Sequence, residues 1–280
     1  MKKTLIALAV AASAAVSGSA MAALGAFSAG NTNASVSISG VITKAGTSNP
    51  WVWAVGQPYD KFKHSTIDLS EEATKLTITA GENMSLLVGK VNNAFSGGTG
   101  LTPKIQFTDY NGKVTPSWTG SNAKGSMQLA VRDDQQQEIG TMTMNIKAVA
   151  PLYYASTTSS SISGMIQSGA TDYAFAGAVG GYGKYGTKSE IDEVLTAFGA
   201  PATQVIMNQI KKFPGMEGIS DHTDSYLNSN YTALTYNNNI YAGAYALGVP
   251  VGDKITIKFN KAIIADTKWQ TQLNMTVTYV

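Results

Sequence analysis

Two stretches of this 280-residue chain carry the residue types that cofactor binding or catalysis uses. Gly181, Gly183 and Gly186 keep the spacing G-x-G-x-x-G ahead of a helical segment, an arrangement that brings backbone N–H groups against a pyrophosphate. The dinucleotide version also needs a strand just before the glycines and an acidic residue about 20 positions on. Here position 206 is Ile206, and Thr203 to Lys212 carry no acid, so a Gly/Tyr-rich loop is the better reading. Asp221, His222 and Asp224 suggest a metal site or a proton-transfer pair. Zinc needs several converging Cys, His or carboxylate ligands. The chain has no Cys, and its other histidine, His64, lies in a charged loop with Asp60, Lys61 and Lys63. No serine sits in a G-x-S-x-G elbow, although a triad assembles in space and spacing does not exclude one. The expectation is a protein without enzymatic activity, metal or cofactor.

The third candidate is aromatic. Tyr153, Tyr154, Tyr173, Phe175, Tyr182 and Tyr185 crowd one region, and most of them are expected in its core, since aromatics dominate burial. The sharper alternative is that a few stack on a ligand, because a tyrosine offers a flat apolar face and a hydroxyl at low entropic cost. A sugar presents the matching C–H face rimmed by hydroxyls.

Elements that must position these residues divide the chain into three. Residues 34–43 alternate strictly: Ala34, Val36, Ile38, Gly40 and Ile42 share one face, with Ser35, Ser37 and Ser39 on the other. Further strands are expected at Trp51–Val55, Lys75–Ala80, Leu86–Lys90, Lys104–Thr108, Met127–Arg132 and Gly140–Val149. Asn49-Pro50, Gly97-Gly98, Asn111-Gly112 and Asp133-Asp134 are the turns between them. Short strands at this spacing make a sandwich or a barrel. From Pro151 to about Asn239 the alternation fades. A capping-box-like Ser189 to Asp192 opens a helix carrying Ile191, Val194, Leu195 and Phe198, and Gly199 ends it. Pro201 suits the first position of a second helix with Val205, Ile206, Ile210 and Phe213, and Lys211 and Lys212 suit its negative end. Strands resume at Ile240–Leu247, Lys254–Asn260 and Leu273–Tyr279. The last places Leu273, Met275, Val277 and Tyr279 on one face, and no later residue follows to pair with it. The middle block reads as an insertion into the sandwich.

Residues 1–22 read as an export signal: Lys2-Lys3, an apolar run from Leu5 to Val16, and the A-x-A-like Ala20-Met21-Ala22. Cleavage is expected after Ala22, with Ala20 the alternative. The apolar run is shorter than the ~20 residues a bilayer needs. With 28 Gly, 13 Tyr, 14% charged residues and no Cys, the composition suits an extracellular β protein held by packing or by partners rather than by disulfides. A formal net charge of +2 without a basic stripe argues against nucleic acid.

In combination, Ser35–Thr43, Trp51–Gly56, Thr74–Thr79, Ile105–Gly112, Ala244–Gly248, Phe259-Asn260, Trp269 and the penultimate Tyr279 resemble the FaeG-like major-subunit adhesins of enterotoxigenic chaperone–usher fimbriae. The resemblance covers both flanks and is poor between Pro151 and Asn239. It implies a mainly β fold, an incomplete immunoglobulin-like sandwich completed by donor-strand exchange, with an inserted helix-containing subdomain at 151–239. A signal at 1–22, an extension at 23–43 and a pilin domain at 44–280 are the implied divisions. Ala34, Val36, Ile38, Gly40 and Ile42 would be the donor strand; Leu273, Met275, Val277 and Tyr279 would bind a periplasmic chaperone. An outer-membrane usher, identical subunits in a head-to-tail filament and a host glycan are the other implied partners, at the cell surface. Unpaired strand edges are aggregation hazards that β-augmentation cures, and a heterologous contact that does not close builds a filament. Tyr182, Lys184 and Tyr185 are the expected receptor-binding residues. The competing reading is a secreted, non-polymeric carbohydrate-binding module.

Overall fold

The structure, a computed structural model, describes residues 49–280 apart from 61, 121, 168–172, 181–184 and 231. The signal, the extension with Ala34, Val36, Ile38, Gly40 and Ile42, and the side chains expected to bind a receptor at Tyr182 and Lys184 lie outside the described residues.

In chain order the first strands are β1 (Trp51–Val55), β2 (Leu69–Ser70), β3 (Lys75–Thr79), β4 (Met84–Val91), β5 (Phe95–Ser96) and β6 (Pro103–Asp109). Next come β7 (Gly112–Val114), β8 (Ser117–Trp118), β9 (Lys124–Arg132), β10 (Glu138–Val149), β11 (Pro151–Ser156), β12 (Ser163–Gln167) and β13 (Tyr185–Thr187). Helices α1 (Lys188–Ala197) and α2 (Thr203–Lys211) precede β14 (Tyr226–Asn230), β15 (Asn239–Val249), β16 (Lys254–Phe259) and β17 (Asn274–Tyr279).

One large sheet runs in the order β13-β14-β12-β11-β15-β10-β16-β3-β2, and β1 joins it through β4, which pairs with β15. A small sheet, β17-β6-β7, faces it. Between them lies an apolar core built from alternating residues: Leu76 and Ile78 of β3, Ile105 and Phe107 of β6, Met127 and Leu129 of β9, Ile255 and Ile257 of β16, Met275 and Val277 of β17. The fold is therefore a mainly β sandwich, as the alternation predicts.

The segment 151–239 is stitched into that sandwich. Strand β11 pairs antiparallel with β15, from Leu152 opposite Gly243 to Ser156 opposite Asn239, and so extends the large sheet. Helices α1 and α2 cover the sheet's outer face. Strand β15 shows how: Tyr241, Tyr245, Leu247 and Val249 fill the sandwich core, whereas Ile240, Ala242, Ala244 and Ala246 lie under the helices with Leu195, Phe198, Ile206 and Ile210. Small alanines let helices approach a sheet closely. Because β11 and β15 are covered on both faces, neither shows polar alternation, and the strands from β11 to β14 escape a period-two reading.

Two helix starts differ from expectation. The capping box of α1 pairs Thr187 with Glu190: the Thr187 hydroxyl accepts from Glu190 N–H at 3.1 Å, and Thr187 N–H donates back to the carboxylate at 3.0 Å. The Thr187 hydroxyl also donates to the Glu190 carboxylate at 2.7 Å, and this bond, helped by the one from Thr187 N–H, holds the carboxyl below its ordinary range. Asp192 instead accepts from Thr203 N–H at 2.6 Å and from its hydroxyl at 3.0 Å, which caps α2 from the neighbouring helix. Ala202 occupies the N-cap of α2, so Pro201 lies before that helix rather than within its first turn.

Candidate functional site

A cleft of about 810 Å³ opens between the end of β1 and the start of β17. One wall is Val55, Gly56 and the loop through Tyr59, backed by Met84 and Leu86 of β4; the other runs from Thr267 to Leu273 and on to Met275. Its floor is the sandwich core itself: Leu129, Met142, Met144 and Ile255 line it. Both flanking strands are edges. Among the described residues β1 pairs with β4 alone, and β17 pairs with β6 alone, from Asn274 opposite Thr108 to Tyr279 opposite Pro103. Among the described residues a sandwich so arranged leaves one row of backbone groups without ladder partners beside an apolar cleft floor, the two features that an added strand satisfies together.

The cleft has a closed end. Trp53 Nε1 donates to the Tyr279 hydroxyl at 2.7 Å, tying the first strand to the last. Burial raises the Tyr279 phenol to about 12, and the bond from Trp53 offsets part of that. Trp53 belongs to an aromatic group: Trp51 stacks beside it at 6.0 Å, Phe175 meets Trp51 edge-on at 5.3 Å and stacks on Tyr245 at 5.3 Å. At the other end the segment before β17 crosses to the large sheet. Arg132 N–H donates to Gln270 O at 2.9 Å, Gln270 N–H donates to Arg132 O at 2.8 Å, and the Thr271 hydroxyl donates to Ala130 O at 2.8 Å.

Of the four residues expected to engage a chaperone, Leu273 and Met275 line the cleft, whereas Val277 and Tyr279 stand where it closes. All four share the core face, as the alternation predicts; Met275 and Val277 are buried, Leu273 and Tyr279 partly so. The expected aromatic core is present: Tyr153 and Phe175 are fully buried, and Tyr154 and Tyr173 are partly exposed. The backbone of Tyr185 opens β13, opposite Asn228.

Asp221, His222 and Asp224 are not brought together as ligands. Asp221 pairs with Lys211 Nζ at 2.8 Å, a contact that holds its carboxyl below the usual range, and His222 Nε2 lies 3.2 Å from Tyr226 O. Among the described residues no group of three or more His, Asp or Glu is placed to hold a metal. His222 and Asp224 instead rim a polar recess of about 330 Å³ with Tyr154, Ser161, Ser163 and Thr223. Sequence reasoning missed this recess because its walls come from β12 and from a loop some sixty residues later. It also missed the methionine floor and the partner of Tyr279, Trp53, which is 226 positions away.

The family described as fimbrial, major and minor subunit, matches over residues 1–280. The chain is 33% identical over 292 residues to K88 fimbrial protein AC of Escherichia coli, with the full length of both chains covered. K88 fimbrial protein AB of the same organism is 31% identical over 299 residues and F41 fimbrial protein 31% over 294, again over the whole of each chain. A sandwich with an open edge among the described residues fits that relationship, and the chain belongs to this fimbrial subunit family, as a FaeG-like major subunit.

Proposed function

We propose that this chain is a major structural subunit and adhesin that polymerises by donor-strand exchange. The cleft between β1 and β17 carries the reading, because it reaches the sandwich core between two strand edges that have no further ladder partner among the described residues. Residues 34–42 of one copy, with Ala34, Val36, Ile38, Gly40 and Ile42 turned inward, fill the cleft of the next. A periplasmic chaperone occupies it first, along the edge of β17 at Leu273, Met275, Val277 and Tyr279, and an outer-membrane usher receives the complex. As a fimbrial subunit the chain is exported to the cell surface and is not an enzyme.

The test is addition of a peptide of residues 34–43 to a chain lacking residues 1–43. Insertion of a strand raises the melting temperature and blocks binding of a dye that reports exposed apolar surface. A peptide without effect on either overturns donor-strand exchange. If the full chain fills its own cleft, as the self-contained carbohydrate-binding module requires, it remains monomeric without chaperone and resists the peptide.

The adhesive part belongs to the segment 151–239. Its helices α1 and α2 lie on the side of the large sheet away from the cleft's floor, and binding residues concentrate on excursions from a rigid scaffold. Tyr182, Lys184 and Tyr185 are the residues we assign to a host glycan, the rings stacking on a sugar and the lysine donating a hydrogen bond or meeting an acidic sugar. The polar recess at Tyr154, Ser163, His222 and Asp224 supports placing a hydroxyl-rich ligand in this segment. Changing Tyr182, Lys184 and Tyr185 together to Ala should leave fibres intact and abolish adhesion to glycan-bearing cells. Undiminished adhesion moves the site elsewhere, and lost fibres make these residues part of the core.

A further inference from the structure

We propose that the connection from β1 to β2 is a strap across the cleft, latched by the Phe62 ring on Trp269, and that unlatching sets the rate at which a strand enters. The inference rests on the donor-strand reading above. Strands β1 and β2 stand at opposite ends of the row β1-β4-β15-β10-β16-β3-β2, so the chain between them must cross that row. It crosses on the core side. Tyr59 and Phe62 pack against the sandwich core, and both line the cleft together with Met142 and Met144 of β10 and Ile255 of β16.

The latch joins one wall of the cleft to the other. Phe62 and Trp269 stack with ring centroids 6.2 Å apart and planes 18° from parallel. Both are half-buried, although Lys63, Lys268 and Gln270 beside them are exposed, so each segment turns one ring inward. The strap is fixed at its ends, where Gly56 N–H donates to Leu86 O at 3.1 Å and Ser65 N–H donates to the Asp68 carboxylate at 2.7 Å. Its middle is lightly held. The Tyr59 hydroxyl donates to Ser85 O at only 3.4 Å, and Asp60, Lys63 and His64 are exposed. Segments with few buried contacts open locally at low cost. An incoming strand must lie over the same floor residues that the strap crosses, so the strap swings aside first, and the stack is what it has to break.

The test measures how fast a fluorescent peptide of residues 34–43 enters the full chain, read by anisotropy. The parent carries Val36→Asp and Ile38→Asp, which disable its own extension as a donor. With unlatching as the slow step, the entry rate levels off as peptide concentration rises. Phe62→Ala and Trp269→Ala are each expected to raise that plateau roughly 3–10-fold, the worth of a released aromatic pair. The double variant should gain no more than either single one, because both remove the same stack. Phe62→Tyr, which keeps the ring, should enter at the parent rate. If Phe62→Ala folds poorly, Trp269→Ala against Trp269→Phe makes the same comparison from the other wall. Rates that are equal in all variants, slower in the alanine variants or additive in the double variant overturn the latch and leave donor-strand exchange standing. A peptide that enters none of them, the parent included, overturns both.

Discussion

Tyr279 shows how one hydroxyl joins the ends of a fold. Its ring lies on the core face of β17, and its oxygen accepts the Trp53 indole proton while burial holds it neutral up to about 12. Tyr59, at the cleft wall, is likewise raised to about 12, mainly by burial and further by the Glu82 carboxylate. A phenol whose pKa is higher folded than unfolded keeps its proton in the native state after the unfolded chain has lost it. Its contribution is complete below about 10 and drains away as pH rises towards about 12. Stability should therefore fall across that window, and Tyr279→Phe should flatten the fall while lowering stability at neutral pH by about 1 kcal/mol for the lost hydrogen bond. Melting curves at pH values on either side of the window check this; equal alkaline sensitivity in the variant would sink it. The position and facing of Tyr279 were legible in the alternation from Leu273. Its partner was not, since nothing local in Trp51–Val55 says which distant strand its indole meets.

Among the elements, the strands that carry one polar face were readable almost to the residue: β3 at Lys75–Thr79, β16 at Lys254–Phe259 and β17 at Asn274–Tyr279. Those buried on both faces were not, and β11 is the case in point, with Leu152 and Tyr153 facing opposite sides and both fully buried. β1, β4 and β15 were found despite burial on both faces, at Trp51–Val55, Leu86–Lys90 and Ile240–Leu247. Helices were found by their apolar stripe, while their caps were misassigned because Thr187 and Ser189 are equally good candidates until Glu190 turns back. Close approach between elements gives a sharp prediction at Gly89 of β4. A Cβ there would stand 2.5 Å from the Trp53 ring, so Gly89→Ala must displace that ring. Overpacking of this kind costs ~1–3 kcal/mol. A shifted denaturant midpoint together with quenched or red-shifted tryptophan emission is expected; an unchanged midpoint would show that Trp53 moves freely and is no part of the closure.

For the whole molecule, the middle segment behaves as a third layer rather than as a detachable lobe. It supplies β11 beside β15 and the helices that shield Ala242, Ala244 and Ala246. Ser85 of β4 donates to Phe198 O at 3.0 Å, and Gln209 of α2 donates to Val91 O at 2.9 Å, so the helices are also pinned to the sandwich by buried polar contacts. Replacing residues 151–239 by a short linker should therefore not yield a minimal pilin. The expected product is insoluble or degraded in the periplasm, because the outer face of β15 becomes an apolar patch. A soluble variant that still takes up the 34–43 peptide would establish the opposite. This dependence was not legible in the sequence, since sharing a strand between two cores is a property of pairing that periodicity does not encode.

The floor of the cleft also has a redox consequence. Four thioethers, those of Met84, Met142, Met144 and Met275, line it, and sulfoxide formation turns such a side chain from a pliable apolar filler into a polar one. On the donor-strand reading, peroxide would reach these sulfurs through the cleft before a strand enters it and not after. Oxidation is thus a clock on assembly. Mass spectrometry of briefly peroxide-treated material should find the added oxygens on unassembled subunits and miss them on subunits already in a fibre. Damage inflicted before assembly should also persist as a subunit that no strand can enter.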